Sequence, residues 1–144
     1  MIKKRKVQVV ILAQKSGSSK VTKVLLLQTN KKRGGFWQNV TGSVERYERF
    51  HKAALREVWE ETGLKDNDME AFIDLKIEHK FLSQKGYPVT EKSYAIVVQE
   101  QKIKIDPREH QRYKWHPIKS IRSSNYKFPT NFESFCLAKK TFKN

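Results

Sequence analysis

Cysteine is nearly absent from this sequence: Cys136 is the one thiol in 144 residues. No intramolecular disulfide can form, and nothing in the cysteine usage asks for an oxidising compartment. Long apolar runs are missing too. The longest, residues 9–13 and 94–98, fall far short of the roughly 20 residues that span a bilayer. A membrane protein is therefore not expected. The basic run Lys3-Lys4-Arg5-Lys6 leads into apolar residues that stop at Ala13, which is not the pattern of a secretory leader, so a cytoplasmic location is the expectation. The four histidines, His51, His79, His110 and His116, have no metal-ligand spacing with one another or with Cys136, so a zinc site is not expected. There is no internal repeat, low-complexity tract or linker-like stretch, and residues 1–144 are expected to form one domain with its own core. The remaining scarcity is of acid: 15 Asp and Glu stand against 30 Lys and Arg, a formal net charge of +15. That balance suits an anionic partner, whether nucleotide, nucleic acid or another polyphosphate, or else a solvated lysine-rich surface, and composition does not choose between them.

Against these absences the patterned segments stand out. Val7 to Ala13 and Val21 to Gln28 are β-rich runs separated by Ser16-Gly17-Ser18-Ser19 and are expected to form a hairpin. Residues 30–35 form a basic, glycine-ended loop, and Phe36 to Val40 forms a short strand or ordered loop. From Arg49 to Thr62 the apolar spacing becomes helical, with Gly63 at the expected C-terminal cap. Met69 to Leu82 and Lys92 to Gln99 are further strands around a turn at Gly86-Tyr87-Pro88. Gln111 to Trp115 is a short strand, Pro117 begins a short helix, and Phe132 to Lys140 is a last helix capped by Thr130 or Asn131. The order strands, helix, strands, helix points to an α+β fold, an α/β/α sandwich.

The chemistry is concentrated in one segment. Glu57, Glu60 and Glu61 fall on one side of the first helix at about 100° per residue, and Leu55, Val58, Trp59 and Thr62 are expected to pack the opposite side on the sheet. On this reading the acids face outward together, and Trp59 is core; Trp37 and Trp115 are expected to pack as core as well. Three like charges within one turn repel each other. A hard divalent cation such as Mg²⁺, held by carboxylates and substrate phosphates, removes that repulsion; salt bridges to Lys52 or Arg56 are the plainer alternative. Residues 42–64 carry five acids and four bases, while the rest of the chain is strongly positive. An acidic island in a basic field suits an enzyme that holds cations on carboxylates and draws phosphates to them.

Gly42, five residues, Glu48, seven residues and then Arg56-Glu57-Val58-x-Glu60-Glu61-x-Gly63-Leu64 resemble the complete signature of the Nudix hydrolases, G-x5-E-x7-R-E-U-x-E-E-x-G-U. The resemblance implies an α/β/α sandwich with a mixed sheet and a loop-helix-loop catalytic unit, acting on nucleoside diphosphates linked to another moiety with Mg²⁺, or Mn²⁺, as cofactor. It implies that Glu57, Glu60 and Glu61 are metal ligands, one of them serving as base, that Arg56 and Glu48 orient them, and that the Gly42 carbonyl reaches a metal. One departure is Tyr47, where many members have glycine before the isolated glutamate; if that position needs a positive φ, Tyr47 carries a conformational cost.

Outside the signature, residues 36–45 (FWQNVTGSVE) and 109–115 (EHQRYKW) are similar to the dihydroneopterin triphosphate pyrophosphatases of that family, also described as dATP pyrophosphohydrolases. This implies a further metal ligand in Glu109 and substrate contacts at Lys4, Thr41, Tyr113 and Thr130. The group's basic pair after the second strand is Thr29-Asn30 here, with positive charge resuming at Lys31. The expected reaction splits a triphosphate between its α and β phosphorus, giving a monophosphate and pyrophosphate, as in folate biosynthesis. The expected partner is thus a small anionic polyphosphate. An RNA 5′-pyrophosphohydrolase or a general (d)NTP-cleaning enzyme is the alternative, and a catalytically silent binding module the less favoured one. Nothing in the sequence sets the oligomeric state.

Overall fold

The computed structural model describes residues 3–142. Its centre is a seven-stranded mixed sheet. β1 (Lys4–Gln14) and β2 (Val21–Thr29) form the expected hairpin, with Leu12 opposite Val24. β1 also pairs in parallel with β6 (Pro88–Gln99) along its whole length, and β6 pairs antiparallel with β5 (Met69–Leu82). β3 (Trp37–Gln38) and β7 (His110–Pro117) flank β2, while β4 (Val40–Ser43) pairs with β1. Helices α1 (Phe50–Thr62) and α2 (Pro129–Thr141) cover the two faces. The α/β/α sandwich is the observed fold.

The apolar run of β1 reads as continuous because both faces of the strand are buried. Val7, Val9 and Ile11 pack with Leu25, Leu27, Ala53, Ala54, Val58 and Ile96 on the α1 side. Val10 and Leu12 pack with Val24, Leu26, Val97, Phe135 and Ala138 on the α2 side. Each buried Val, Leu, Ile or Phe among them contributes about 1.5–3 kcal/mol relative to exposure. β5 alternates only in part because its pairing slips between Asp74 and Glu78, where Lys76 takes a positive φ of 56° and its N–H is held by Asp74 Oδ1 at 2.8 Å.

Three expectations are corrected. Thr130 and Asn131 lie inside the first turn of α2; Phe128 is the cap residue and Pro129 opens the helix, where a missing N–H costs nothing. The Asn131 side chain instead accepts the N–H of Asn39, the residue between β3 and β4, at 2.8 Å. Pro117 closes β7 and precedes the 3-10 turn Ile118–Ser120 rather than starting it. Trp59 is 56% exposed, and α1 sinks its Ala53, Ala54 and Val58 arc into the sheet. That arc also carries Glu57 and Glu61, which are buried, so the acids do not all face outward. Trp37 and Trp115 are half-buried against the two cores.

Candidate active site

β4 delivers Gly42 directly beneath α1. A Cβ on Gly42 would overlap the carboxyl group of Glu57, so glycine is required there by close approach. The chain then turns through residues 44–49. Tyr47 sits at the apex with φ 67° and is 89% exposed, the left-handed conformation that disfavours a bulky side chain. The turn is tied down by Arg5 of β1, whose guanidinium donates to the carbonyls of Glu45 and Glu48, each at 3.0 Å. Gly63 ends α1 in the left-handed region, its N–H returning to the Trp59 carbonyl.

Arg56 organises the site. Its Nε and Nη2 donate to the two oxygens of Glu48 at 2.8 and 2.9 Å, a bidentate pair. Nη1 donates to Glu57 Oε1 at 2.9 Å and Glu60 Oε2 at 3.1 Å, and Nη2 also donates to the Ser43 carbonyl at 2.8 Å. The Arg56 hydrogen bond, with help from the Glu45 N–H, holds the Glu48 carboxyl far below its ordinary value, at about 2. Among the described residues no three His, Cys, Asp or Glu side chains converge on one point at ligand distance; Glu57 and Glu60 are both hydrogen-bonded to Arg56.

Glu61 is the most deeply set of the acids, 2% exposed, and its Oε2 has no hydrogen-bond partner. Burial pushes its carboxyl pKa well up, and the neighbouring Glu57 and Glu109 charges push it further. Glu57 moves in the same direction, chiefly through burial. Beside Glu61 stands His110, 1% exposed, with Nδ1 at 3.5 Å from Glu61 Oε1. The other ring nitrogen of His110 lies 3.1 Å from Gln38 Nε2. An amide nitrogen can only donate, so His110 Nε2 accepts and the ring proton sits on Nδ1, facing Glu61. Burial lowers the His110 pKa, which keeps the ring neutral. Glu109, on the loop before β7, pairs with Arg33 at 3.1 Å and shares with Glu60 an open concavity of about 920 Å³.

The structure therefore gathers Gly42, Glu48, Arg56, Glu57, Glu60, Glu61 and Glu109. The residues expected to touch substrate are spread more widely. Lys4 is exposed, with its Nζ 5.5 Å from the Tyr87 ring centroid. Thr41 lies opposite Gln8 on β4, and Thr130 lies in the first turn of α2; both belong to the α2 side. Tyr113 packs on the α1-side core beside Lys15, Gln101, Lys102 and Trp115. Arg5, Gln38 and His110 went unassigned in the sequence. Arg5 hides in a basic run, and His110 has no second histidine to mark it.

A buried carboxyl oxygen without a hydrogen-bond partner, set beside two further acids, holds a proton unless a cation takes the proton's place. The oxygen-only donor set of Glu57, Glu60, Glu61, Glu109 and the Gly42 carbonyl suits a hard divalent ion. The residues present fit such an ion.

The NUDIX domain family model matches residues 3–135. The Escherichia coli dihydroneopterin triphosphate pyrophosphohydrolase superposes with a TM-score of 0.76 at 27% identity, covering 96% of this chain and 94% of that one. A Caenorhabditis elegans Ap4A hydrolase superposes at 0.74 with 18% identity, covering 95% and 96%. An octanoyltransferase of Myxococcus xanthus is 34% identical over 109 residues, 74% of this chain; the match spans 29% of that curated relative's length.

Proposed function

The chain belongs to the NUDIX domain family, a hydrolase fold acting on phosphoric anhydride bonds, and from that premise we propose that it is a Mg²⁺-dependent pyrophosphohydrolase of dihydroneopterin triphosphate, dATP or both. The observation that carries the reaction is the buried Glu61 carboxyl, one oxygen of which has no hydrogen-bond partner, set among Glu57, Glu60 and Glu109. Similarity to the E. coli enzyme over nearly the whole of both chains supports the substrate. When bound, the divalent ion supplies Lewis-acid polarisation of the phosphate oxygens and lowers the pKa of water.

The chain's own residues do the positioning. Arg56 fixes the rotamers of Glu57 and Glu60 from one side, and Glu48 fixes Arg56. His110 stands beside Glu61, its Nδ1 3.5 Å from Oε1, with its other ring nitrogen held by Gln38. Gly42 lets β4 approach Glu57 closely. In the reaction a water oxygen bonds to the phosphorus, the anhydride P–O bond breaks, the water proton passes to a carboxylate of this cluster, and pyrophosphate leaves. Lys4, Thr41 and Thr130 are assigned to the retained pterin or nucleoside monophosphate, and Tyr113 to the outer edge of β7.

The test compares kcat/KM with Mg²⁺ for dihydroneopterin triphosphate, dATP, dGTP, 8-oxo-dGTP, ADP-ribose, a diadenosine polyphosphate and triphosphorylated RNA. The pterin triphosphate or dATP is expected to rank first, with pyrophosphate released. A higher rank for RNA or a dinucleotide overturns the substrate, and no turnover of any of them overturns the reaction. The +15 charge favours RNA as the second reading, and RNA turnover would fall steeply with salt as counterions are released.

A further inference from the structure

The turn that carries Glu48 to Arg56 is strained, and a side chain far from it in sequence holds it in place. The Glu48 N–H donates to the Glu45 carbonyl at 3.0 Å, so residues 45–48 close a four-residue turn whose third residue, Tyr47, has φ 67°. That place suits glycine or asparagine, because a positive φ brings a Cβ against the backbone. Tyr47 gains little packing in return, being 89% exposed. Left to itself, such a turn relaxes by carrying its third residue to negative φ, which re-aims the peptide between Tyr47 and Glu48. Arg5 opposes that change. Its Nη1 donates to the Glu48 carbonyl and its Nη2 to the Glu45 carbonyl, each at 3.0 Å, so one rigid fork grips both ends of the turn. The Arg5 carbonyl accepts the Val44 N–H at 2.9 Å, prolonging the ladder in which Lys6 faces Ser43 and Val7 faces Gly42. Its guanidinium carbon sits 5.5 Å from the ring centroid of Phe50, the first residue of α1, which packs on the α1-side core. Arg5 thus fastens the turn to two elements that are already rigid, the sheet and the helix.

From the turn the contacts run on to the acids. The Glu48 carboxylate accepts the Glu45 N–H at 2.9 Å, inside the turn, and the bidentate pair from Arg56 outside it. The same Arg56 guanidinium reaches Glu57 Oε1 and Glu60 Oε2. The aim of Glu48, and through Arg56 that of Glu57 and Glu60, therefore depends on the shape of the turn. We infer that Arg5 is a positioning residue for the carboxylate site: it holds Tyr47 at a φ that tyrosine resists, and so keeps Glu48, Arg56, Glu57 and Glu60 in register for a divalent ion. The inference rests on the proposed metal-dependent hydrolysis. An arginine beside such a site is more commonly a clamp for substrate phosphate. Here both terminal nitrogens of Arg5 are already directed at main-chain carbonyls of the turn, and a phosphate would have to break those bonds to reach them. The consequence is an energetic coupling between two residues 42 positions apart: the site needs Arg5 because position 47 is tyrosine, and with glycine there, free to keep a positive φ, the need for Arg5 falls away.

The test is a double-mutant cycle on the full chain. Arg5→Met keeps an apolar stem over Phe50 and removes both donors, Arg5→Lys keeps one donor and the charge, and each is made with Tyr47 and with Tyr47→Gly. Mn²⁺ binding to the substrate-free chain is read by electron paramagnetic resonance. Arg5→Met is expected to weaken it by about tenfold, at the low end of the loss seen when partners that orient metal ligands are removed. Arg5→Lys is expected to lose less, and Tyr47→Gly alone to change affinity by less than about twofold. Adding Tyr47→Gly to either Arg5 variant is expected to recover most of its loss. With Mg²⁺ and dATP, the Arg5→Met defect is expected in kcat, with KM unchanged. Equal losses with and without Tyr47→Gly would overturn the coupling. Unchanged Mn²⁺ affinity in Arg5→Met, or a defect confined to KM, would overturn the positioning role and make Arg5 a phosphate contact. Independently of metal, chymotrypsin in EDTA is expected to cut after Tyr47 faster in Arg5→Met than in the native chain, and equal rates would show that Arg5 does not hold the turn. If the native chain binds no Mn²⁺ while cleavage behaves as expected, the proposed reaction fails and the hold of Arg5 on the turn stands.

Discussion

Replacing Glu61 by glutamine separates the electrostatics of the site from its packing, because the amide keeps the size of the carboxyl and removes its charge. In the metal-free protein the Glu61 carboxyl titrates well above its ordinary 4.5, through burial first and then the Glu57 and Glu109 charges. The folded state therefore holds a proton that the unfolded state has lost, and stability falls as pH rises above 4.5. Each pH unit across that gap costs about 1.4 kcal/mol, so at pH 7.5 the ceiling is about 4 kcal/mol. Glu57 shares the proton-holding with Glu61, and local relaxation lowers the figure further; about 1–3 kcal/mol is the expected net penalty. Glu61→Gln removes it. At roughly 2–4 °C per kcal/mol for a chain near this size, its Tm in EDTA at pH 7.5 should exceed the native value by about 2–12 °C. At pH 4.5 the two should agree to within about 1 °C. Mg²⁺ should reverse the order at pH 7.5, raising the native Tm and leaving that of the variant nearly unmoved, and turnover of the variant should be lost. Differential scanning calorimetry in EDTA and in Mg²⁺ at both pH values makes the comparison. A variant that is less stable than native by the same amount at pH 4.5 and 7.5 would refute the reasoning, since the loss would then be one of packing alone.

Gly42→Ala places a methyl group where the Glu57 carboxyl stands and should weaken Mg²⁺ affinity by about 10–100-fold, read by calorimetric titration. Arg56→Ala leaves Glu48, Glu57 and Glu60 without their shared donor and should cost about 2 kcal/mol at pH 7 by urea denaturation. Glu48 is held down to about 2, so its contribution is full above pH 4.5 and is lost as pH falls from 4.5 to 2. The native chain should lose stability over that window, and Arg56→Ala should lose less. Tyr47→Gly relieves the positive φ at an 89% exposed position. It should stabilise by about 0.5–1 kcal/mol net of glycine's added entropy, and an unchanged or lower Tm would show that the turn is not strained.

What the sequence showed best was periodicity and spacing. The hairpin of β1 and β2 and the span of β5 follow from runs of apolar residues, and the candidate site segment follows from a motif in which every fixed position is filled. The orientation of α1 departs from its apolar periodicity for a specific reason. A helical wheel anchored on the large side chains Leu55 and Trp59 turns the acids outward. The sheet instead meets the small residues Ala53 and Ala54, which allow a close approach, and Glu57 and Glu61 are carried in with them. Contacts across long separations left no local trace. Asn39 and Asn131 hydrogen-bond over 92 residues, and His110 reaches Glu61 from β7. Nor does the position of Arg5 in a basic run distinguish it from Lys3, Lys4 and Lys6.

The +15 net charge takes on a local meaning once the site is placed. Residues 42–64 are net −1, and the acids there are buried or committed to Arg56, so the positive excess lies entirely on the rest of the chain. A field of that sign raises the local concentration of polyphosphate, but it also draws anions to surfaces that do no chemistry. On the proposed function, selectivity comes from where Glu57, Glu60, Glu61 and Glu109 stand, the oxygen donor set that suits a divalent ion. Two buried acids on one helix are costly to fold around without that ion. The chain offsets the cost with close packing of Ala53, Ala54 and Val58, with the Gly63 cap and with the hydrogen bonds of Arg56. Metal affinity and fold stability are consequently two readings of one free energy: whatever relieves Glu61 in the empty protein weakens its hold on the cation, and no substitution at that position can improve both.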